Sequence, residues 1–494
     1  QRLTVLDVFS EPVLMGMPSL DRRTFLKTSV SAGALLIAIP LASRGDSSTK
    51  ALKPSAQWCV YVTIHPDNST TMISPVSEMG QFMRTTGPMI IADEMDLDWS
   101  LVSFSREMPV LMKRNEKGEI VYDHAQIGTG GSNTVRTNWD YMRMAGATVR
   151  RMLIEEAAAR WHISPDGLRT VDSFVIDANN DRRLSYGALA QKAMLRRVDT
   201  TRIKLKEKSE YRIMGKDAGV IDIRDIVTGK PLFGIDEDYP NALQAVIDRA
   251  PALGAEIAGY DKAAALAIPG VRAVVEIERN VEKHWPEGEA QIVAAGVAVL
   301  ADDLWSALQA KQALKTQWKN TSPSAQEDSE AQFQEFHRLV ASDTPASVLK
   351  EYGELEQALE SAEVVLDHAY EHPLLVHACM EPLNCIVDIR DDSATVVVGH
   401  QWPHSAATEV ERVTGIDALK VQVIGRRMGG GFGRRGEIDN VREAVALAHK
   451  VKRPVKVTWT RENDTEQDFF GPAAVVRIRA ALKDGKISGW HHRQ

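Results

Sequence analysis

Cysteine is scarce in this chain: Cys59, Cys379 and Cys385 are the three cysteines among 494 residues. They form no CxxC pair and no spacing typical of a zinc site, so we expect that the chain holds no iron–sulfur cluster by itself. Cys379 and Cys385 flank a Met-Glu-Pro turn, a pattern that favours two small buried side chains over a disulfide or a nucleophile. We assign no cysteine a role.

Long hydrophobic runs and an excess of one charge are also missing. The apolar run from about Val30 to Leu41 is too short for a permanent membrane-spanning helix. The 59 Lys and Arg residues against 67 Asp and Glu residues give a formal net charge of -8, which offers no electrostatic basis for binding nucleic acid. GxSxG, HExxH, kinase and deaminase signatures are absent as well, so hydrolysis and phosphotransfer have no positive support.

The N-terminal segment has the features of an export signal. Two adjacent arginines in Asp21-Arg-Arg-Thr-Phe-Leu-Lys precede the apolar run, and Ala42 followed by Ser43 is a candidate cleavage point. A short basic amphipathic N-terminus is the alternative, and it accounts less well for the paired arginines. We therefore interpret residues 17–45 as a twin-arginine signal, residues 1–16 as an extraneous extension, and the mature protein as periplasmic.

The length of the chain and its succession of helix-like and strand-like segments predict several domains of mixed α and β structure. Strand-like alternation begins at Trp58, a helix is predicted over Met142 to Trp161, and another lies near Asp302 to Leu314. The predicted regions are a mixed region at 54–210, a smaller α/β domain at 211–320, a polar connector at 321–350 and a third region at 351–494.

In the third region a strand, a glycine loop, a helix and a further strand follow one another. The predicted elements are strand Ala394 to Val398, strand Val421 to Ile424, a helix over about Asn440 to Val451 and strand Pro454 to Trp459. The sequence stops soon after a hairpin-like turn at Lys483, without a closing helix. We therefore expect this domain to be incomplete and the chain to be truncated at its carboxyl end.

The glycine loop is the sharpest feature of the sequence. It reads Met428-Gly-Gly-Gly-Phe-Gly-Arg-Arg435, and glycines after a strand let main-chain amides approach an anionic ligand while the next helix adds its positive end. Arg434 and Arg435 would add charge-assisted contacts. The spacing fits neither GxGxxG nor the P-loop pattern, and a surface turn, the alternative, seldom needs this many glycines.

Two further segments contain glycine, Ser77-Glu-Met-Gly-Gln81 and Gly128-Thr-Gly-Gly-Ser-Asn-Thr134. Each alone is typical of a turn or a helix cap, but together with the glycine loop they indicate one large phosphate-bearing ligand. Gln401 follows a strand, at the end where α/β proteins commonly bind ligands. His377 and Glu381, in His-Ala-Cys-Met-Glu-Pro, favour a buried structural turn over an acid/base or metal site.

These segments occur together, and in this order, in the molybdopterin-binding subunits of the xanthine dehydrogenase and aldehyde oxidase superfamily. Over residues 20–470 the chain resembles especially the group similar to isoquinoline 1-oxidoreductase beta subunits. The resemblance implies a multidomain, mixed α/β molybdopterin-binding fold with an embedded α/β-hammerhead domain at 211–320. The segments that carry it are Glu78-Met-Gly-Gln81, Gly130-Gly-Ser132, Val227-Thr-Gly-Lys-Pro-Leu-Phe-Gly-Ile-Asp236, Ala267-Ile-Pro-Gly-Val271, Met380-Glu-Pro382 and Gly429-Gly-Gly-Phe-Gly-Arg-Arg435.

The resemblance implies molybdopterin cytosine dinucleotide as the cofactor, with molybdenum held by the pterin dithiolene rather than by protein ligands. Gln401 would hydrogen-bond a molybdenum oxo group, and Phe432 would lie beside the metal. The residues implied to contact the cofactor are Met79, Gly80, Gln81, Gly131, Ser132, Asn133, Gln401, Gly430, Gly431, Phe432, Gly433 and Arg434.

The activity implied by the resemblance is hydroxylation of an aldehyde or an N-heteroaromatic compound, with oxygen derived from water. Electrons would pass to 2Fe–2S clusters on a small partner subunit and, in some similar enzymes, on to a cytochrome c. Phe82 stands where the family usually has a glycine. No residue matches the family's general-base glutamate by motif, and neither Glu381 nor Glu437 is nominated in its place.

Two other functions stay open on the sequence. One is a truncated, non-catalytic cofactor-binding or scaffold protein that lacks the catalytic glutamate. The other is an exported nucleotide- or phosphate-binding protein unrelated to molybdenum, which would explain the glycine loop but not the remaining segments.

Overall fold

The computed structural model describes residues 35–37, 61–74, 76–105, 108–110, 112–122, 128–196, 198–230, 233–283, 289–320, 327–342 and 347–494. The twin-arginine signal and the N-terminal extension predicted from the sequence lie outside the described residues, apart from 35–37.

The described chain alternates helices and strands along its whole length, which confirms the mixed fold class. The helices are α1 Met83–Met95, α2 Thr134–Trp161, α3 Tyr186–Ala193, α4 Ile223–Val227, α5 Lys262–Leu266, α6 Leu304–Leu314, α7 Ser329–Ala341, α8 Leu355–Glu360, α9 Ser405–Thr414, α10 Asp439–Val451 and α11 Arg461–Glu466. Within the described ranges, no helix combines the length and the apolar character needed to cross a membrane.

The strands are mostly short. They are β1 Leu35–Ile37, β2 Tyr61–Ile64, β3 Thr70–Ile73, β4 Val102–Phe104, β5 Met108–Pro109, β6 Met112–Arg114, β7 Ile120–Tyr122, β8 Arg169–Val171, β9 Phe174–Asp177, β10 Arg182–Ser185, β11 Leu243–Arg249, β12 Glu256–Gly259, β13 Val271–Ile277, β14 Asn280–Lys283, β15 Glu289–Val293, β16 Gly296–Ala301, β17 Gln317–Lys319, β18 Val364–His372, β19 Asn384–Ile389, β20 Ala394–Val398, β21 Val421–Gly425, β22 Val455–Thr458, β23 Ala474–Lys483 and β24 Lys486–Arg493.

The first region contributes β2, β3 and β4 to a four-stranded sheet of order β1-β2-β3-β4, and its helices α1 and α2 pack side by side. A Cβ on Gly146 of α2 would lie 2.5 Å from the main-chain oxygen of Ile91 in α1, so only glycine lets the two helices approach this closely. Helix α2 begins at Thr134 rather than at the predicted Met142, because the polar residues of its first turns conceal the apolar stripe.

The largest sheet has eight strands in the order β13-β16-β11-β22-β19-β20-β21-β5. Its pairs are antiparallel except for β11 with β22 and β20 with β21, which are parallel. Strands β11, β13 and β16 come from the predicted smaller domain, and β19 to β22 come from the third region. The predicted smaller domain therefore shares a sheet with the third region, and its assignment as a hammerhead stays a prediction.

The predicted connector at 321–350 contains a helix, α7, which the sequence pattern did not predict. Helix α7 packs against β23 of a three-stranded sheet of order β18-β23-β24. Phe333 and Phe336 stand one turn apart on α7 with their rings edge to face, 6.1 Å between centroids. These apolar side chains give the helix a packing face despite its many charges.

The strands that lead to the glycine loop and to Gln401 lie side by side. Strand β20 has the predicted bounds, and β21 extends one residue beyond the prediction, to Gly425. Because β20 and β21 are parallel, the segments that follow them leave the sheet at the same edge. The sequence order strand, loop, helix and strand is confirmed, with α10 starting at Asp439.

Candidate functional site

Gln401 is a buried amide that is fixed at both ends. Its Oε1 accepts a hydrogen bond from the main-chain N–H of Gly433 at 2.9 Å, and its Nε2 donates to the carbonyl oxygen of Thr129 at 2.7 Å. These bonds determine which way the amide points. The second Nε2 hydrogen has no protein acceptor among the described residues, so it remains for a ligand.

Hydrogen bonds tie together the three glycine-containing segments that were predicted to share a ligand. The Thr129 main-chain N–H donates to the Gln401 carbonyl oxygen at 2.9 Å, and the Thr129 hydroxyl donates to the Ser77 carbonyl oxygen at 3.1 Å. The Met428 N–H donates to the carbonyl oxygen of Glu78 at 2.8 Å. The structure therefore brings the three segments to one place.

A cavity of about 610 Å³ lies between the segment around Gly80 and the glycine loop. The predicted site residues that line it are Met79, Gly80, Gln81, Gly430, Gly431 and Phe432. Its apolar walls are completed by Phe82, Ile223, Ile226, Phe233, Met380 and Met428. The predicted site residues that do not line it are Gly131, Ser132, Asn133, Gln401, Gly433 and Arg434.

The glycine loop lines this cavity and carries main-chain donors without a protein partner in the described chain. In the part of the chain that the structure describes, the N–H groups of Gly430, Gly431 and Phe432 make no hydrogen bond to protein. Successive free N–H groups in a concave loop form an arrangement that binds anions. The loop therefore fits an anionic or oxygen-rich ligand.

Close packing explains why the loop needs glycine at position 431. A Cβ there would lie 2.6 Å from Sδ of Met79 and 3.1 Å from Oε1 of Gln401. Phe432 adopts a φ of 54° although it is not glycine, and its side chain is 69% exposed. Strained conformations of this kind concentrate at ligand-binding and active sites.

The segment before α2 offers a second set of free donors. Gly131 and Ser132 have φ values of 58° and 54°, and their N–H groups also make no bond to protein within the described ranges. Asn133 is the N-cap residue of α2, and its side chain accepts from Arg136. Farther along α2, Asn138 is 1% exposed, and neither atom of its amide has a protein partner in the described chain.

Glu381 clamps the base of the glycine loop. Its Oε2 accepts from the Gly429 N–H at 2.7 Å and from Arg435 Nη2 at 2.9 Å. Its Oε1 accepts from the Ile235 N–H at 3.0 Å and from Asn384 Nδ2 at 2.8 Å. The buried structural turn predicted from the sequence is confirmed, and its partners could not be foreseen because they are distant in sequence.

The Arg434 side chain is buried in ion pairs, and its contact with the cofactor stays a prediction. Arg434 is 1% exposed; its Nη2 lies 2.6 Å from Asp439 Oδ2 and its Nε 3.0 Å from Asp468 Oδ1. Two carboxylates therefore hold the guanidinium inside the protein. Arg435 is equally buried and pairs with Glu381. Asp439, the partner of Arg434, lies in the first turn of α10.

Trp402 is a packing residue that was not predicted from the sequence. A Cβ on Gly128, Gly130 or Gly436 would lie 2.4, 2.9 or 2.4 Å from atoms of its ring. Only glycine fits at positions 128 and 130, because the indole ring of Trp402 occupies the adjoining space. The sequence signal was the position of Trp402 directly after Gln401.

His400, which precedes Gln401, is a neutral structural histidine. Its Nδ1 accepts from the Trp402 N–H at 2.9 Å, so its Nε2 donates to the Glu437 carbonyl oxygen at 3.0 Å. Burial lowers the pKa of His400 to about 4. The ring therefore fixes the backbone on both sides of Gln401 and carries no charge at neutral pH.

The chain is similar to known molybdopterin-binding proteins. Residues 35–222 and residues 340–494 each match a family described as molybdopterin cofactor-binding domain. Over 96% of its length the chain is 27% identical to isoquinoline 1-oxidoreductase subunit beta of Brevundimonas diminuta. Over 94% it is 30% identical to the membrane-bound aldehyde dehydrogenase (pyrroloquinoline-quinone) of Gluconacetobacter polyoxogenes. It spans 64% and 58% of the lengths of these two relatives.

A similar solved structure is the aldehyde oxidoreductase from Desulfovibrio gigas, with a TM-score of 0.41, 18% identity, and coverage of 61% of this chain and 37% of that one. The chain belongs to the molybdopterin-binding subunits of the xanthine dehydrogenase and aldehyde oxidase superfamily. The family prediction from the sequence is confirmed.

The residues of the described chain fit a molybdopterin cofactor. Free main-chain donors belong to glycine-loop residues that line a cavity, and a second set precedes α2 near Ser132. Pterin and phosphate groups are rich in oxygen acceptors, which such donors recognise.

Proposed function

We propose that the chain is the molybdenum-cofactor-binding subunit of a periplasmic hydroxylase. Its substrates are aldehydes or N-heteroaromatic compounds, water is the oxygen source, and the electrons pass to an iron–sulfur subunit. The observation that carries the proposal is the cavity between Met79 and the glycine loop, where free N–H donors lie close to the fixed amide of Gln401.

We assign molybdopterin cytosine dinucleotide with molybdenum as the cofactor. When bound, it supplies the metal centre at which oxygen from water is transferred to an electron-poor carbon and two electrons are withdrawn. The N–H groups of Gly430, Gly431 and Phe432 would donate to the pterin, and those of Gly131 and Ser132 to its phosphates.

The chain's own side chains orient a ligand and line its cavity. Gln401 keeps one Nε2 hydrogen for an oxygen atom, because its other amide contacts are taken by Gly433 and Thr129. Phe82 and Met380 are apolar walls of the cavity, and they offer apolar contact to the ligand.

Similar proteins and features of the sequence support the proposed substrate class and partners. The similar proteins include one named for isoquinoline oxidation and one named an aldehyde dehydrogenase. With three cysteines and no CxxC pair, the chain is suited to pass electrons to 2Fe–2S clusters on a small partner subunit, with a cytochrome c as a further acceptor. The Asp21-Arg-Arg-Thr-Phe-Leu-Lys segment supports export by the twin-arginine route.

Cofactor analysis of the purified complex tests this function. The chain is expressed with its genomic neighbours, and we expect one molybdenum and one cytosine dinucleotide per chain, with iron on a separate subunit. Dye reduction by a panel of aldehydes and N-heterocycles identifies the substrate class, and cell fractionation gives the location. A well-folded complex without molybdenum and pterin would contradict the proposal.

A further inference from the structure

His377 and Asp468 make a two-point contact beside the glycine loop. The Nδ1 of His377 lies 2.9 Å from Oδ1 of Asp468, and the His377 main-chain N–H donates to Oδ2 at 2.5 Å. The Asp468 side chain is 1% exposed. Because a carboxylate can only accept, this contact selects the tautomer with its proton on Nδ1.

The other ring nitrogen of His377, Nε2, faces the glycine loop. A Cβ on Gly433 would lie 3.8 Å from this nitrogen, and no protein group in the described residues bonds to it. The N–H of the same glycine holds Gln401. The His377 side chain is 23% exposed, so Nε2 is a basic atom that is open to water and next to the site.

The Asp468 carboxylate also contacts an arginine. Arg434 has its Nε 3.0 Å from Oδ1 of Asp468 and pairs with Asp439, and nearby Arg461 pairs with Asp464. Asp468 therefore holds both Arg434 and His377.

We propose that His377, held by Asp468, carries protons between the glycine-loop site and solvent. The inference rests on the proposed function, in which a substrate C–H group and one water become a product C–OH group, two protons and two electrons. The electrons go to the iron–sulfur acceptor, and the protons must leave. Nε2 accepts one proton from water beside Gly433, while Nδ1–H stays on Asp468, and then releases that proton to solvent.

The test uses a variant that separates proton transfer from structure. In His377→Asn the side-chain amide can still donate a hydrogen bond to Asp468, but it has no nitrogen that takes up a proton. The matched control is His368→Asn, on the exposed strand β18. The readouts are molybdenum and pterin content, melting temperature and the pH profile of kcat. We expect His377→Asn to keep its cofactor, to lose kcat by about 100-fold and to lose one limb of the profile, with partial rescue by added imidazole.

A second readout needs no turnover. Carbethoxylation by diethyl pyrocarbonate, followed by mass spectrometry, reports whether Nε2 of His377 is accessible. We expect His377 to be modified in the folded complex, because Asp468 holds Nδ1 and the side chain is 23% exposed.

The outcomes separate this proposal from the proposed function. A His377→Asn enzyme with an unchanged pH profile, or one that loses molybdenum together with kcat, would overturn proton transfer by His377. A His377 that diethyl pyrocarbonate does not modify in the folded complex would do the same. A wild-type complex without molybdenum would instead refute the proposed function itself.

Discussion

Replacing Glu381 by glutamine should loosen the glycine loop at its base. All the partners of the Glu381 carboxylate are donors: the N–H groups of Gly429 and Ile235, Nδ2 of Asn384 and Nη2 of Arg435. A glutamine amide has one acceptor oxygen, so its NH₂ group must face donors in either orientation. The Arg435 side chain, 0% exposed, then lacks a counterion. Breaking a buried pair in this way costs about 3–5 kcal/mol.

Urea unfolding followed by tryptophan fluorescence measures this loss. We expect Glu381→Gln to lower the free energy of unfolding by about 3–5 kcal/mol. Glu363→Gln, at an exposed position, is the control and should stay within about 0.5 kcal/mol of the wild type. A loss below about 1 kcal/mol for Glu381→Gln would refute the reasoning from a buried ion pair.

Three further results are expected. Gly130→Ala places a methyl group 2.9 Å from the Trp402 ring, so urea unfolding should show a loss of about 1–3 kcal/mol. Gly431→Ala meets the facing methionine sulfur at 2.6 Å, and cofactor content should fall about tenfold at a nearly unchanged melting temperature. His400, whose ordinary pKa is 6.5, has a pKa of about 4 in the folded chain. The unfolded chain therefore binds an extra proton between these two pH values. The free energy of unfolding falls as pH falls through this window, by about 2 kcal/mol at pH 5. The unfolding free energy of His400→Asn should depend less steeply on pH.

The sequence predicted well those features that depend on neighbouring residues. Strand β20 was found from its alternation, and the loop after β21 was found from its glycines. The meeting of this loop with Gln401 followed because ligand sites gather at the ends of parallel strands.

Features that depend on distant residues were not predictable from local pattern. The role of Glu381 depends on Ile235 and Arg435, and a pattern around the glutamate shows neither. The same holds for Arg434, whose adjacency to glycines suggested a ligand contact, whereas Asp439 and Asp468 bind it inside the protein. Pairing of β11 with β22, which joins two predicted regions, is likewise a long-range event.

Helix α7 was not predicted, although its signal was present in the sequence. Phe333, Phe336, Leu339 and Val340 recur at helical spacing, but the many charged residues between them suggested a connector. Periodicity, rather than mean polarity, was the better guide in this segment.

Anomalous diffraction at the molybdenum absorption edge, from crystals of the purified complex, tests the central claim most directly. We predict one molybdenum peak per chain, beside Gln401 and Phe432 at the glycine loop. A peak elsewhere on this chain, or a well-diffracting complex without any molybdenum peak, would contradict the account.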